Sequence, residues 1–169
     1  MMRRRWLVPG VMGAVAAALG LARGIAPKAS SAEAAERFEI ERDDADWRAR
    51  LTPAEYRVLS GHGAEAPWSS ALLAEHRPGL FVCAGCELPL FDAATKFESG
   101  TGWPSPRQPL ENAIGTREDR SFFMLRTEVH CRRCGGHLGH GFDDGPAPTG
   151  LRYCMNGVAL RFVPAGEPT

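Results

Sequence analysis

Two Cys-x-x-Cys pairs, Cys83/Cys86 in "CAGC" and Cys131/Cys134 in "CRRCGGH", are separated by 44 residues. They constrain the fold more than any other feature. Each pair can turn its two sulfurs toward one ion, so the spacing suits a tetrahedral zinc held by four thiolates. Protein ligands then fill every position and leave none for water. The metal is a structural staple in this reading. In an oxidising compartment, disulfides or a redox Cys-x-x-Cys compete with it, but glycine at both turns favours metal knuckles.

The compartment matters because the chain begins "MMRRRWLVPGVMGAVAAALGLARG". A cationic stretch followed by an Ala, Val, Leu and Gly-rich run has the build of an export signal. Arg3-Arg4-Arg5-Trp6-Leu7 resembles the twin-arginine motif, with Trp6 where Phe is usual, and small residues near Ala32 or Ala34 offer cleavage sites. An uncleaved anchor is disfavoured because the run falls short of the ~20 apolar residues that span a bilayer. Residues 1–34 are therefore expected to be signal and linker, residues 35–169 one domain, and the mature protein periplasmic. A chain of 169 residues has room for little more than one core.

Formal net charge is zero, which removes the simplest case for nucleic-acid binding. The balance is uneven, since Arg3, Arg4, Arg5, Arg23 and Lys28 precede the first acid, Glu33. The expected domain is mildly acidic.

Thr52-Pro53-Ala54-Glu55 combines a Thr cap, Pro at the first helical position and Glu three residues after the cap. This predicts a helix to about Leu59, ending at Gly61 and Gly63. A second short helix is expected from Ala71 to His76, after Ser69-Ser70. Beyond Pro78, short apolar runs separated by Gly, Pro and Asp read as antiparallel strands. In "SFFMLRTEVHC", Phe123, Leu125, Thr127 and Val129 would share one strand face, and Met124, Arg126, Glu128 and His130 the other. In "GVALRFV", Val158, Leu160 and Phe162 would do the same.

Cys154, in "LRYCMNG", belongs to neither pair. Parity puts Arg152, Cys154 and Asn156 on one side of the chain, and a cation two residues from a thiol favours the nucleophilic thiolate. Taken alone, such a cysteine is as readily a small buried hydrophobe. Upstream, "GGHLGHGFDDGP" places His137 and His140 three apart, with Asp143 and Asp144 close behind. They are candidates for proton handling or for metal ligation, although four thiolates already suffice for one zinc. Trp103 sits in a tight Gly-Pro turn, "SGTGWPSP", which holds an indole rigidly, whether at a surface or in a core.

Together "RPGLFVCAGCELPLF", "KFESGTGWPSP", "CRRCGGHLGHGFDDGP" and "TGLRYCMN" resemble, in order and spacing, the B-type methionine sulfoxide reductases, peptide-methionine (R)-S-oxide reductases. The likeness spans about residues 51–163. It implies a mainly β fold of two antiparallel sheets forming a partial barrel, with short N-terminal helices and one structural Zn2+ on Cys83, Cys86, Cys131 and Cys134. Cys154 would attack the sulfoxide sulfur and become a sulfenic acid, with Arg152 favouring the thiolate. Trp103 would pack on the methyl group, and Phe142 would be a further substrate-binding residue. His137, His140 and Asn156 would hold the sulfoxide oxygen and organise its protonation, with Asp144 behind them. The substrate is oxidised methionine, in proteins or free. The reductant is a thioredoxin-like protein or a small thiol, and a monomer is expected.

Three residues depart from the family pattern. Thr101 stands where some members carry a resolving cysteine, Pro106 where Phe is usual, and Gly141 where Val is common. The departures concern recycling and pocket shape, not the nucleophile. A non-enzymatic zinc-clamped β module would explain the four cysteines but not Trp103, His137, His140, Cys154 and Asn156 together. A thiol-disulfide oxidoreductase would call for a thioredoxin-like βαβ pattern, which the sequence lacks.

Overall fold

The computed structural model describes residues 37–166. The export signal expected over residues 1–34 lies outside them.

Two short helices lead in. α1 (Asp44–Arg50) is capped by the Asp43 carboxylate, which accepts from the Asp46 N–H. The sequence reading missed it, because α1 buries no residue and so carries little apolar periodicity. α2 (Pro53–Leu59) follows the expected capping box. The Thr52 hydroxyl accepts from the Glu55 N–H, and the Glu55 carboxylate accepts from the Thr52 N–H. A cap of this kind contributes about 1 kcal/mol. Val58 and Leu59 are the residues of α2 that enter the core. The second predicted helix is a 3-10 turn, Ala71–Ala74, capped by Ser70.

Among the described residues nine strands follow, paired antiparallel in three sheets. In chain order they are β1 (Gly79–Cys83), β2 (Pro89–Asp92), β3 (Lys96–Phe97), β4 (Ser105–Pro106), β5 (Ile114–Asp119), β6 (Arg126–Cys131), β7 (His137–Phe142), β8 (Arg152–Met155) and β9 (Leu160–Pro164). One sheet runs β2-β1-β9, a second is the β3-β4 ribbon, and the third is the meander β5-β6-β7-β8. The described residues thus form three antiparallel sheets where two were expected. Phe81, Leu90, Phe91, Val129, Leu138 and Met155 are fully buried and form the core with Val58 of α2.

Two expected strands begin late. Residues 121–123 form a 3-10 turn, and Phe123, Met124 and Leu125 are exposed. The cause is the β5–β6 hairpin. Asp119 pairs with Arg126, so the residues between them must reverse the chain instead of extending β6. Similarly, Gly157–Ala159 is a 3-10 turn, and β9 starts at Leu160.

The two Cys-x-x-Cys turns are built alike. The Cys83 carbonyl accepts from the Glu87 N–H and the Cys131 carbonyl from the Gly135 N–H. The N–H groups of the same cysteines donate to the Leu88 and Gly136 carbonyls. Glu87 and Gly135 both have positive φ, which Gly135 adopts without the steric cost Glu87 bears. A Cβ on Gly135 would also collide with the Phe38 ring.

Candidate active site

Strand register brings the predicted site residues together. Along β8, Met155 is fully buried in the core and Tyr153 packs on Phe91. Alternation then turns Arg152 and Cys154 to the other face of the sheet. In the β7–β8 ladder His140 lies opposite Cys154, and Phe142 opposite Arg152. Gly139 permits the close approach, since a Cβ there would overlap the Cys154 carbonyl oxygen. A cleft of about 390 Å³ opens over this face, lined by Trp103, His137, His140, Phe142, Cys154 and Asn156, with His62, Gly63, Ala64, Arg126 and Gly139.

Cys154 is partly buried, and its Sγ lies 4.0 Å from the Thr101 hydroxyl. Burial pushes the thiol above its ordinary pKa. The Thr101 hydrogen bond and then the Arg152 guanidinium act the other way without cancelling it. Arg152 therefore favours the thiolate as expected, but does not dominate. The Arg152 guanidinium donates both Nε–H and Nη2–H to the Asp144 carboxylate at 2.8 Å and stacks on the Phe142 ring at 4.3 Å. Asp144 thus serves Arg152. It is not the partner of the histidines that the resemblance suggested.

The carboxylates on the histidines are Glu128 and Asp119, to which no role was assigned from sequence. Glu128 Oε1 lies 2.7 Å from His137 Nδ1, and Asp119 Oδ2 lies 2.8 Å from His140 Nε2. Burial works to raise the Glu128 carboxyl, but hydrogen bonds from His137, His62 and Arg117 outweigh it and hold it well below the ordinary range. Hydrogen bonds from Ser121, then from His140 and Arg126, do the same for Asp119. Both carboxylates are ionised and can only accept. His137 therefore carries its proton on Nδ1 and His140 on Nε2, each fixed by the carboxylate it donates to. Burial lowers the His140 pKa, and the Asp119 hydrogen bond opposes this incompletely.

Asn156 is buried and already engaged. Its carbonyl oxygen accepts from the Glu65 N–H at 2.9 Å, and its amide donates to the Leu138 carbonyl at 3.1 Å. One amide hydrogen is left for the cleft. Glu65 completes the strap by accepting from the Gly157 and Val158 N–H groups. Trp103 is held from the same segment, its indole N–H donating to the Glu65 carbonyl at 3.3 Å.

The other four cysteines form a cluster of their own. Cys83 Sγ lies 3.8 Å from Cys134 Sγ, Cys86 Sγ lies 3.5 Å from Cys131 Sγ, and all four fall within 4.8 Å of one another. A tetrahedron with Zn–S bonds of ~2.3 Å has edges of about 3.8 Å. The set fits one zinc ion closely, and its sulfurs stand well beyond the ~2.05 Å of a disulfide.

A thiol set opposite an imidazole, in a cleft walled by an indole, marks a cysteine-dependent enzyme. Residues 51–164 match the family model of the SelR domain. The chain is 48% identical over 126 residues to the peptide methionine sulfoxide reductase MsrB of Leptospira interrogans, covering 74% of this chain and 96% of the relative. It is 53% identical over 132 residues to that of Caulobacter vibrioides, covering 77% and 81%, and 50% identical over 126 residues to that of Methanosarcina mazei, covering 74% and 90%. The chain belongs to the SelR family, the B-type methionine sulfoxide reductases.

Proposed function

We propose that this enzyme reduces the R epimer of methionine sulfoxide to methionine with Cys154 as its nucleophile. The placement of Cys154 opposite His140, in a cleft that Trp103 also lines, carries the reading. The thiolate attacks sulfur, forming an S–S bond as the protonated oxygen leaves as water. Water then adds to Cys154 Sγ and gives up a proton, and the new S–S bond breaks with its electron pair returning to the methionine sulfur. Cys154 is left as a sulfenic acid while methionine departs with both of its C–S bonds intact. The departing oxygen needs a proton; His137, His140 and Asn156 line the cleft, and the ring nitrogens that Glu128 and Asp119 do not hold can take one up from solvent and pass it on. Trp103 and Phe142 supply an apolar wall for the methyl group. Arg152, held by Asp144, stabilises the attacking thiolate.

The sulfenic acid is two electrons above the thiol. One external thiol condenses with it, releasing water and forming a mixed disulfide. A second thiol regenerates Cys154. A thioredoxin-like protein or a small thiol would serve. Zinc on Cys83, Cys86, Cys131 and Cys134 would supply no step of this chemistry and would hold the two knuckles together. The cationic and apolar build of residues 1–34 supports export, so the reductant would act in the periplasm.

The reading is tested by one equivalent of R-sulfoxide, supplied without reductant. One methionine per chain and one added oxygen on Cys154 are expected. Methionine formation in Cys154→Ser at the wild-type rate would refute it.

A further inference from the structure

We propose that His62, His137 and Glu128 form a second metal site, for a borderline divalent ion such as Zn2+ or Co2+, and that filling it blocks the reductase. The three side chains converge on one point. Glu128 Oε1 lies 2.7 Å from His137 Nδ1 and 3.1 Å from His62 Nδ1, and all three ligand atoms lie within 4.8 Å of one another. The imidazole rings are 5.2 Å apart, tilted by 41°. With metal–ligand bonds of ~2.1 Å, the edges of a tetrahedral or octahedral ion are about 3.0–3.4 Å. The two carboxylate–imidazole edges need to open by at most about 0.3 Å to enter that range, and binding releases the Nδ1 proton through which His137 meets Glu128.

The donor set is two imidazoles and one carboxylate, with room for water on the open side. Such a set selects Zn2+, Co2+ or a similar ion over Mg2+ or Ca2+, which prefer all-oxygen shells. Two of the ligands are buried and pre-positioned, with the side chains of His137 and Glu128 only 4% and 7% exposed. The third, His62, is 52% exposed and gives an ion its way in from solvent. His62 follows α2 at positive φ, in the short stretch between Gly61 and Gly63. Arg117 approaches Glu128 chiefly through Nε on Oε2 at 2.5 Å, with Nη2 on Oε1 at 3.1 Å. An ion on Oε1 would take the place of the hydrogen bonds from the two imidazoles and of the longer Arg117 contact. The shorter one would remain behind the carboxylate, as outer-layer hydrogen bonds usually do at metal sites.

The site is separate from the four thiolates but shares His62 and His137 with the substrate cleft. A bound ion would occupy the His137 imidazole and place a charge and its waters where the sulfoxide enters. The inhibition rests on the proposed reductase reading, whereas the metal binding does not.

The test begins from full-length protein with its four-thiolate site loaded with zinc. Titration with Co2+ should show one further ion per chain, with visible ligand-field bands and none of the intense near-ultraviolet absorption of cobalt–thiolate bonds. His62→Ala should weaken this binding at least tenfold, while Cys154→Ser should leave it unchanged. No further ion, a thiolate absorption band, or equal affinity in His62→Ala would overturn the site. First-turnover methionine formation, run without added thiols that chelate metal, should fall more than tenfold in the wild type when the ion is present. Its ratio with and without metal should stay near one in His62→Ala at the same concentration. Binding with undiminished turnover would refute the block alone. Binding to a protein that makes no methionine even without the second ion would refute the reductase reading and leave the site standing.

Discussion

The Thr101 hydroxyl lies 4.0 Å from the sulfur of Cys154 on β8. A thiol at position 101 would stand within reach of a sulfenic acid at 154, but threonine cannot condense with one. Ser99 fixes the residue by hydrogen bonding to its hydroxyl at 2.8 Å, and Ser105 holds Ser99 in turn. The remaining four cysteines are gathered in their own cluster.

Recycling should therefore be intermolecular. After one turnover without reductant, mass spectrometry should find a single oxygen on Cys154 and no new disulfide. In Thr101→Cys the oxygen should be replaced by a disulfide joining position 101 to Cys154. A wild-type disulfide from Cys154 to Cys83, Cys86, Cys131 or Cys134, with zinc released, would contradict the account.

The four thiolates should hold one zinc per chain, and that ion should be inseparable from folding. Metal binding at such sites is worth on the order of 10 kcal/mol, comparable with the whole stability of a small domain. Cys83→Ser or Cys131→Ser should lose zinc, cooperative unfolding and activity together. Metal analysis that finds no zinc in folded wild-type protein would rule the staple out.

Much of the site was legible because its chemistry sits in short motifs. Cys154, Arg152 and Asn156 share one segment, His137 and His140 another, and strand parity predicts which of them face together. Glu128 and Asp119 were not legible as partners. They reach the histidines across neighbouring strands, and only the pairing of Glu128 with His140, Asp119 with Arg126 and the bulge between Val129 and His130 aims them. Parity did place Arg126 and Glu128 on one face of β6, without saying what that face meets. Glu65 was hidden for the same reason, lying 91 residues from the Asn156 side chain it holds. The strand expected over Phe123 to Leu125 failed because alternation alone does not locate a hairpin's reversal.

Cys154 should react as a thiol of raised pKa. Below that pKa its thiolate fraction grows about tenfold per pH unit, so alkylation by iodoacetamide should rise through neutral pH with a slope near one. Arg152→Met removes a group that lowers the pKa. Its profile should move to higher pH and its rate at pH 7 should fall by roughly 3–10-fold. A wild-type rate that is flat below pH 7 would contradict the raised pKa.

Trp103→Ala should weaken substrate capture more than chemistry. Losing the indole wall removes apolar contact worth about 1–3 kcal/mol, which predicts a KM some 10–100-fold higher with a smaller change in kcat. Asp119→Asn should do the reverse, because it alters the hydrogen bond that sets the His140 tautomer. Its kcat should fall about 10–100-fold, as for loss of a charged hydrogen bond. Equal effects of both variants on KM and kcat would deny the two residues distinct roles.

The most direct measurement is the rate of methionine formation from separated R and S sulfoxide epimers with excess thiol reductant, for wild type and Cys154→Ser carrying zinc on the four thiolates alone, side by side. The account predicts complete consumption of the R epimer by the wild type, an untouched S epimer, and no turnover in Cys154→Ser although its zinc and fold are intact. Equal reduction of both epimers, or wild-type turnover by the serine variant, would contradict it.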